Sequence, residues 1–123
     1  MEDTIGKDEF LYRGIHEIWI TKEDNNRISS AAFKQASGCS VDRDGGRKKE
    51  DCISRLLGLK DFGAVCRIVN YEVSQSGAVS VYCPSKTNIY HTEIRDSPEK
   101  IEISSNKKLH YLVQHSEIVF VKT

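Results

Sequence analysis

Two segments of the chain carry apolar residues at the spacing of an amphipathic helix. Residues 105–114 begin at the second of two serines, Ser104 and Ser105, either of which can cap a helix, and they place Leu109, Leu112 and Val113 on one side. Residues 48–60 show the same one-sided spacing at Cys52, Ile53, Leu56, Leu57 and Leu59. The pattern therefore predicts two main helices, over residues 48–60 and 105–114.

The other apolar segments are short and rich in β-branched and aromatic residues, which is typical of strands. The turn-forming residues 74–77 separate two of these segments and predict a hairpin. The predicted strands flank the helices without a strict alternation, which favours an α+β fold with an antiparallel or mixed sheet. The segments are residues 10–16, 17–20, 39–42, 64–73, 78–83, 89–94 and 117–122.

The chain shows no repeat, linker or low-complexity segment. Its 123 residues are enough to bury a core without disulfides or metal. Residues 10–123 are therefore expected to form a single globular domain. Residues 1–9 are acidic and polar, and we expect this N-terminal segment to be flexible.

The segment 27–33, with the sequence RISSAAF, places two serines before a short apolar run. Ser29 or Ser30 can cap a single helical turn that reaches Phe33 and ends at Gly38. One hydroxyl suffices for capping, so the other is free, and Ser40 comes near once the chain reverses through Gly38. Hydroxyls beside a helix start favour an anion.

Charge excludes some classes of partner. Eighteen basic and eighteen acidic side chains cancel, so there is no electrostatic reason for strong non-specific binding to nucleic acid or anionic membranes. The N-terminus lacks the apolar segment of a signal peptide, and no apolar run is long enough to span a bilayer. We therefore expect a cytoplasmic location and no membrane partner.

The four cysteines, Cys39, Cys52, Cys66 and Cys83, are widely spaced and include no close pair. In a reducing compartment this spacing predicts free thiols, and it predicts no metal site because zinc ligands usually come in close-set pairs. The chain also lacks a nucleophile elbow, a phosphate-binding loop and a dinucleotide fingerprint. No cofactor is expected.

Arg13 lies within an aromatic strand that is otherwise suited to burial. An isolated buried charge is costly, so Arg13 requires a partner. Either a protein carboxylate or a ligand phosphate fits the guanidinium fork. Gly14 beside it would allow another backbone or a ligand to approach closely.

His91 and Glu93 share one face of the strand predicted at residues 89–94, since side chains alternate along a strand. A carboxylate beside a histidine can orient and charge-stabilise its ring, so the pair is a candidate for acid–base catalysis. The alternative is a half-exposed polar strand face with no chemical role.

The order of these residues resembles a family of small bacterial proteins of unassigned function. The shared pattern is Arg13, then Ser29-Ser30-x-Ala32-Phe33, then Ser40-Val41, then Asn88-x-x-His91. The resemblance implies that Arg13, Ser29, Ser30, Ser40 and His91 belong to one site.

The chain also has a fainter similarity to ADP-ribosyltransferases. Tyr12-Arg13-Gly14 is similar to their first-strand arginine motif, and Ser29-Ser30 to their serine motif. The resemblance implies that Arg13 binds a phosphate and that Glu93 is the catalytic glutamate. Here the serine motif comes earlier, and the glutamate lies farther from the C-terminus, than in those enzymes.

Three functional hypotheses follow from the sequence. The protein is an enzyme-like domain acting on a nucleotide or nucleic-acid phosphate, with Arg13 and the serines holding the anion and His91 as the acid or base. Otherwise it is a non-catalytic module that binds a nucleotide through the same residues. The third hypothesis is a protein-interaction module of a bacterial multi-component system. The sequence favours a ligand pocket and leaves catalysis, ligand identity and oligomeric state open.

Overall fold

A six-stranded antiparallel sheet forms the centre of the protein. The computed structural model describes all residues from 1 to 123. The strands are β1 Phe10–Ile15, β2 Ile20–Thr21, β3 Arg27–Ile28, β4 Cys39–Arg43, β5 Ala64–Val69, β6 Val79–Tyr82, β7 His91–Arg95 and β8 Glu117–Val121. The sheet order is β6-β7-β4-β1-β5-β8, and β2 and β3 form a separate hairpin. The predicted α+β class is confirmed.

The two predicted main helices are confirmed, with ends within a residue of those expected. Helix α1 spans Lys49–Leu59, helix α2 spans Asn70–Ser76, and helix α3 spans Asn106–Gln114. Ser105 caps α3, because its side chain accepts a hydrogen bond from the Lys108 backbone N–H at 3.3 Å. No helix combines the length and apolar composition needed to cross a membrane.

Helix α2 corrects the prediction of a strand over residues 64–73. The chain leaves the sheet after Val69, and α2 ends at Gly77, whose φ of 90° is left-handed. Val73 is fully buried whereas Tyr71 is 49% exposed, so their side chains do not share a strand face. The Asn70 side chain stabilises the exit from the sheet, since it donates to the carbonyls of Ile5 and Gly6.

The predicted hairpin over residues 64–83 is also wrong. Strand β6 pairs only with β7 at one edge of the sheet, and three strands lie between it and β5. With a helix between them, the two strands are no longer linked by a tight turn. The predicted strand at residues 17–20 is instead a 3-10 helical turn, Glu17–Trp19, followed by the two-residue strand β2.

Apolar side chains cover both faces of the sheet. The larger cluster includes Leu11, Ile15 and Val41, and α3 packs against it through Leu109 and Leu112. The smaller cluster, on the opposite face, joins Tyr12 and Val65 to Cys52 and Leu56 of α1. Alternation along β1 therefore directs Leu11 and Ile15 towards α3, and Tyr12 and Gly14 towards α1.

The sheet splits between β1 and β4. These strands pair only at Leu11 with Arg43 and at Tyr12 with Asp42. Beyond that point β1 stays paired with β5 as far as Ile15, and β4 stays paired with β7 back to Cys39. A gap consequently opens in the middle of the sheet, between the C-terminal half of β1 and the N-terminal half of β4.

Residues 1–9, which the composition predicts to be flexible, make specific contacts with the sheet. The Arg43 guanidinium donates to both carboxylate oxygens of Glu9, at 2.7 and 2.8 Å, and to the carbonyl of Glu2 at 2.6 Å. Burial raises the pKa of Glu9, but hydrogen bonds from Arg43, Gly45 and Gly6 more than offset this effect, so its pKa lies below the ordinary value.

Gly14→Ala should destabilise the protein by about 1–3 kcal/mol, the usual cost of overpacking. A Cβ at Gly14 would lie 2.3 Å from Cε2 of the Phe62 ring. Gly58→Ala in α1 is the matched control, because a Cβ there meets nothing within 4 Å and alanine is the better helix former by up to about 1 kcal/mol. Urea unfolding measures both variants. Unchanged stability in Gly14→Ala would contradict this packing.

Glu9→Gln should cost about 2–4 kcal/mol at pH 7, because it leaves the buried Arg43 guanidinium without its carboxylate. The folded-state pKa is lowered, so the stabilisation is complete above the unfolded pKa of about 4.3 and disappears as pH falls through the lower folded value. Urea unfolding of wild type and variant should therefore converge only once the pH falls below the lowered folded pKa of Glu9.

The control for this comparison is Glu117→Gln. Glu117 pairs with Arg67, but its side chain is 62% exposed, so its loss should cost under about 1 kcal/mol. A deficit in Glu9→Gln that stayed the same from pH 7 to pH 3 would show that the charge of Glu9 does not contribute.

Candidate functional site

The gap in the sheet opens into a cleft of about 370 Å³. This volume lies within the range of small-molecule sites. Both strands at the gap contribute to its wall, as do the end of α1 and the loop that precedes β7. Its charged and polar lining residues include Arg13, Ser40, Asp42, Lys60, Asn88 and His91.

Arg13 is the central cation of the cleft, and its side chain bridges the gap. Its Nε donates to the carbonyl of Ala32 at 2.8 Å, and its Nη1 donates to the carbonyl of Ser40 at 2.6 Å. The residue is only 8% exposed, and no carboxylate lies within 4.0 Å of the guanidinium. Two carbonyl dipoles therefore solvate a charge that no protein anion neutralises.

Asp42 is a site residue that the sequence analysis did not select. It is 3% exposed and lies on the same face of β4 as Ser40. Its Oδ1 accepts a hydrogen bond from the Asn88 amide at 2.8 Å. Its Oδ2 lies 3.4 Å from the Arg55 Nε, but both of these buried atoms lack a hydrogen-bond partner. This buried carboxylate oxygen therefore has an ionic partner in Arg55 but no hydrogen-bond donor.

His91 lies across from Asp42 in the pairing of β4 with β7, and it lines the cleft. As predicted, His91 and Glu93 share a face of β7, and their ligand atoms lie within 4.8 Å of each other, but no ion pair within 4.0 Å joins them. The Glu93 Oε1 instead lies 2.9 Å from Nε and 2.8 Å from Nη2 of Arg95. Glu93 does not line the cleft. The His91 ring also contacts Cys83, whose Sγ lies 4.0 Å from Nδ1.

Ser29 caps the short turn Ser30–Ala32, as predicted, because its hydroxyl accepts a hydrogen bond from the Ala31 N–H at 3.2 Å. Ser29 and Ser30 nevertheless line a different cavity, of about 470 Å³, against His110 of α3. The following Ala32 and Phe33 are buried in the larger apolar cluster, which holds the turn against α3.

The site predicted from the sequence is therefore divided between two cavities. Arg13, Ser40 and His91 come together in the cleft, whereas Ser29 and Ser30 do not line it. The three motifs of the ADP-ribosyltransferase resemblance, Arg13, Ser29-Ser30 and Glu93, consequently lie in three different surroundings.

Apolar and aromatic side chains form much of the remaining cleft wall, together with the polar residues Gln35 and Ser37. Leu56 and Leu59 come from α1, and the His16 ring lies 5.1 Å from Trp19 and 5.4 Å from Phe62, measured between ring centroids. The cleft therefore combines a buried cation, a carboxylate acceptor and aromatic surface.

Comparisons with protein-family models, with curated proteins and with solved structures gave no match. The functional assignment rests on the geometry of the cleft.

Proposed function

We propose that the protein binds a small phosphate-containing ligand of the nucleotide class in this cleft. The observation that carries the proposal is the buried guanidinium of Arg13, which faces a cleft of ligand size and has no carboxylate within 4.0 Å. The proposal is for a binding function, and it does not require catalysis.

The charge of Arg13 favours an anionic ligand. A buried ion without a counter-ion is costly, and carbonyl dipoles offset only part of that cost. Hydrogen bonds to Ala32 and Ser40 fix the orientation of the guanidinium through Nε and Nη1, while Nη2 has no protein acceptor. A phosphate oxygen would supply both the missing negative charge and the missing acceptor.

The carboxylate of Asp42 favours a nucleotide over a simple anion. Its buried Oδ2 is paired with Arg55 at 3.4 Å but has no hydrogen-bond donor, and a ribose hydroxyl or an amino group of a base that reached it would supply one. The Asn88 amide already donates to the other oxygen and holds the carboxylate in place. The apolar wall near Phe62 and Trp19 suits the face of a base.

The ADP-ribosyltransferase resemblance supports the role of Arg13 alone, since Ser29-Ser30 and Glu93 do not line the cleft. The acid–base role of His91 with Glu93 stays a prediction, since the two groups lie within 4.8 Å of each other without an ion pair within 4.0 Å. The protein-interaction hypothesis has no comparable observation in its favour.

Isothermal titration calorimetry with AMP and with inorganic pyrophosphate tests the proposal. Arg13→Gln should weaken the binding of both by about 10- to 100-fold, the value of one charged hydrogen bond. Asp42→Asn should weaken the binding of AMP by about 5- to 10-fold. It should leave the affinity for pyrophosphate unchanged or higher, because the variant removes a negative charge that repels the anion.

Arg27→Gln is the matched control, since Arg27 is an exposed arginine that lines the other cavity. It should leave both affinities within about twofold. Arg13→Lys serves as a second variant that keeps the charge, in case Arg13→Gln does not fold by circular dichroism. Failure of the wild type to bind either compound, or equal losses in Arg27→Gln and the Arg13 variants, would contradict the proposal.

A further inference from the structure

A cluster of three potential metal ligands lies next to the cleft, on β7 and directly after the end of β6. It consists of Cys83, His91 and Glu93, whose ligand atoms all lie within 4.8 Å of one another. All three side chains are partly buried. We propose that this Cys83–His91–Glu93 cluster binds a zinc ion, a function separate from the proposed binding of a nucleotide.

The chemistry of the donors fits zinc. A thiolate, an imidazole and a carboxylate are the three side-chain types that bind Zn²⁺ in proteins, and the thiolate disfavours Mg²⁺ and Ca²⁺. In a tetrahedral zinc site the sulfur and nitrogen ligands are about 3.6 Å apart. The Cys83 Sγ and the His91 Nδ1 lie 4.0 Å apart, so the two atoms need to approach by only about 0.4 Å to reach the separation of zinc ligands.

Backbone pairing holds the thiol beside the imidazole. The Cys83 N–H donates to the His91 carbonyl at 3.1 Å, which extends the pairing of β6 with β7 by one step. The sequence analysis predicted no metal because the four cysteines include no close-set pair, and Cys83 and His91 are eight residues apart. Cross-strand pairing brings them together, and a search for close-set ligand pairs does not detect that arrangement.

Glu93 is positioned from two sides. The Arg95 guanidinium donates to its Oε1, which leaves Oε2 without a protein partner. Such outer contacts orient metal-binding carboxylates in known sites. On the other side Gly38, at a φ of 112°, makes room for the carboxylate, since a Cβ at that position would lie 2.8 Å from the Glu93 Cδ.

Metal binding would proceed with loss of one proton. Burial and the nearby Glu93 charge raise the pKa of Cys83, so the metal-free side chain is a thiol at neutral pH. The zinc–sulfur bond forms as the sulfur–hydrogen bond breaks, and the proton goes to solvent. Three protein ligands leave a fourth tetrahedral position for water or an anion, as in catalytic zinc sites.

Cobalt titration of the full chain, first stripped with a chelator, tests the site. One equivalent of Co²⁺ should produce the visible bands of tetrahedral cobalt and a thiolate charge-transfer band, and zinc should displace it. Cys83→Ser should abolish the charge-transfer band. Cys83→Ser and Glu93→Gln should each lower the affinity for zinc by at least about 10-fold, because even the loss of a residue that only contacts a metal ligand costs that much.

Two controls isolate the cluster. His110→Ala and Cys52→Ala remove a histidine and a cysteine outside the cluster, and each should retain full cobalt binding. Arg13→Gln should bind zinc normally, so failure of the nucleotide proposal would not affect this result. Absence of stoichiometric cobalt binding by the wild type, or a thiolate band that persists in Cys83→Ser, would overturn the proposal. Glu93→Gln carries the test if Cys83→Ser does not fold.

Discussion

The side chain of Arg13 occupies the place where the central sheet comes apart. In a regular antiparallel ladder the carbonyl of Ser40 would face strand β1 and accept a backbone hydrogen bond. Here the Arg13 guanidinium takes that acceptor and also binds the carbonyl of Ala32. One side chain thus replaces missing backbone pairing and connects β1, β4 and the turn before β4. Because the Arg13 side chain takes the place of backbone pairing here, its positive charge lies where the cleft opens.

The other polar features of the cleft follow from this split. Because β4 remains paired with β7, Asp42 and His91 stay opposite each other on one wall. Because β1 remains paired with β5, Gly14 stays on the other wall, where the Phe62 ring covers its backbone. The register of β7 also places Glu93 beyond the cleft, next to Cys83. The pairing of β7 with β4 therefore places the proposed nucleotide site and the proposed zinc site side by side, with His91 at their boundary.

The sequence predicted the features that depend on local chemistry. Helices α1 and α3 have a one-sided apolar spacing that only a helix can bury, and the capping role of Ser29 depends on neighbours two residues away. Helix α2 was missed because Val69 and Val73 fit the spacing of a strand and that of a helix equally well. Only tertiary burial of Val73 distinguishes the two.

Most of the cleft depends on the order and register of the strands in the sheet, and the pattern of apolar residues along the chain does not predict either. The resemblance to the small bacterial proteins implied that Ser29 and Ser30 share a site with Arg13, but the turn that holds them packs against α3 instead. Asp42 could have been found from its position two residues after Ser40 on the same strand face. The contact of Cys83 with His91 requires knowing which residues of β6 and β7 are paired.

The most direct test of the central claim is to observe the Arg13 side chain during ligand titration. Heteronuclear nuclear magnetic resonance spectra of ¹⁵N-labelled protein resolve arginine Nε–H groups and backbone amides as AMP is added. The account predicts saturable shifts of the Arg13 Nε–H and of the Gly14 and Ser40 amides, with Ser29 and Ser30 unaffected. Shifts confined to Ser29, Ser30 and Arg27, or an Arg13 signal that does not move at saturation, would contradict it.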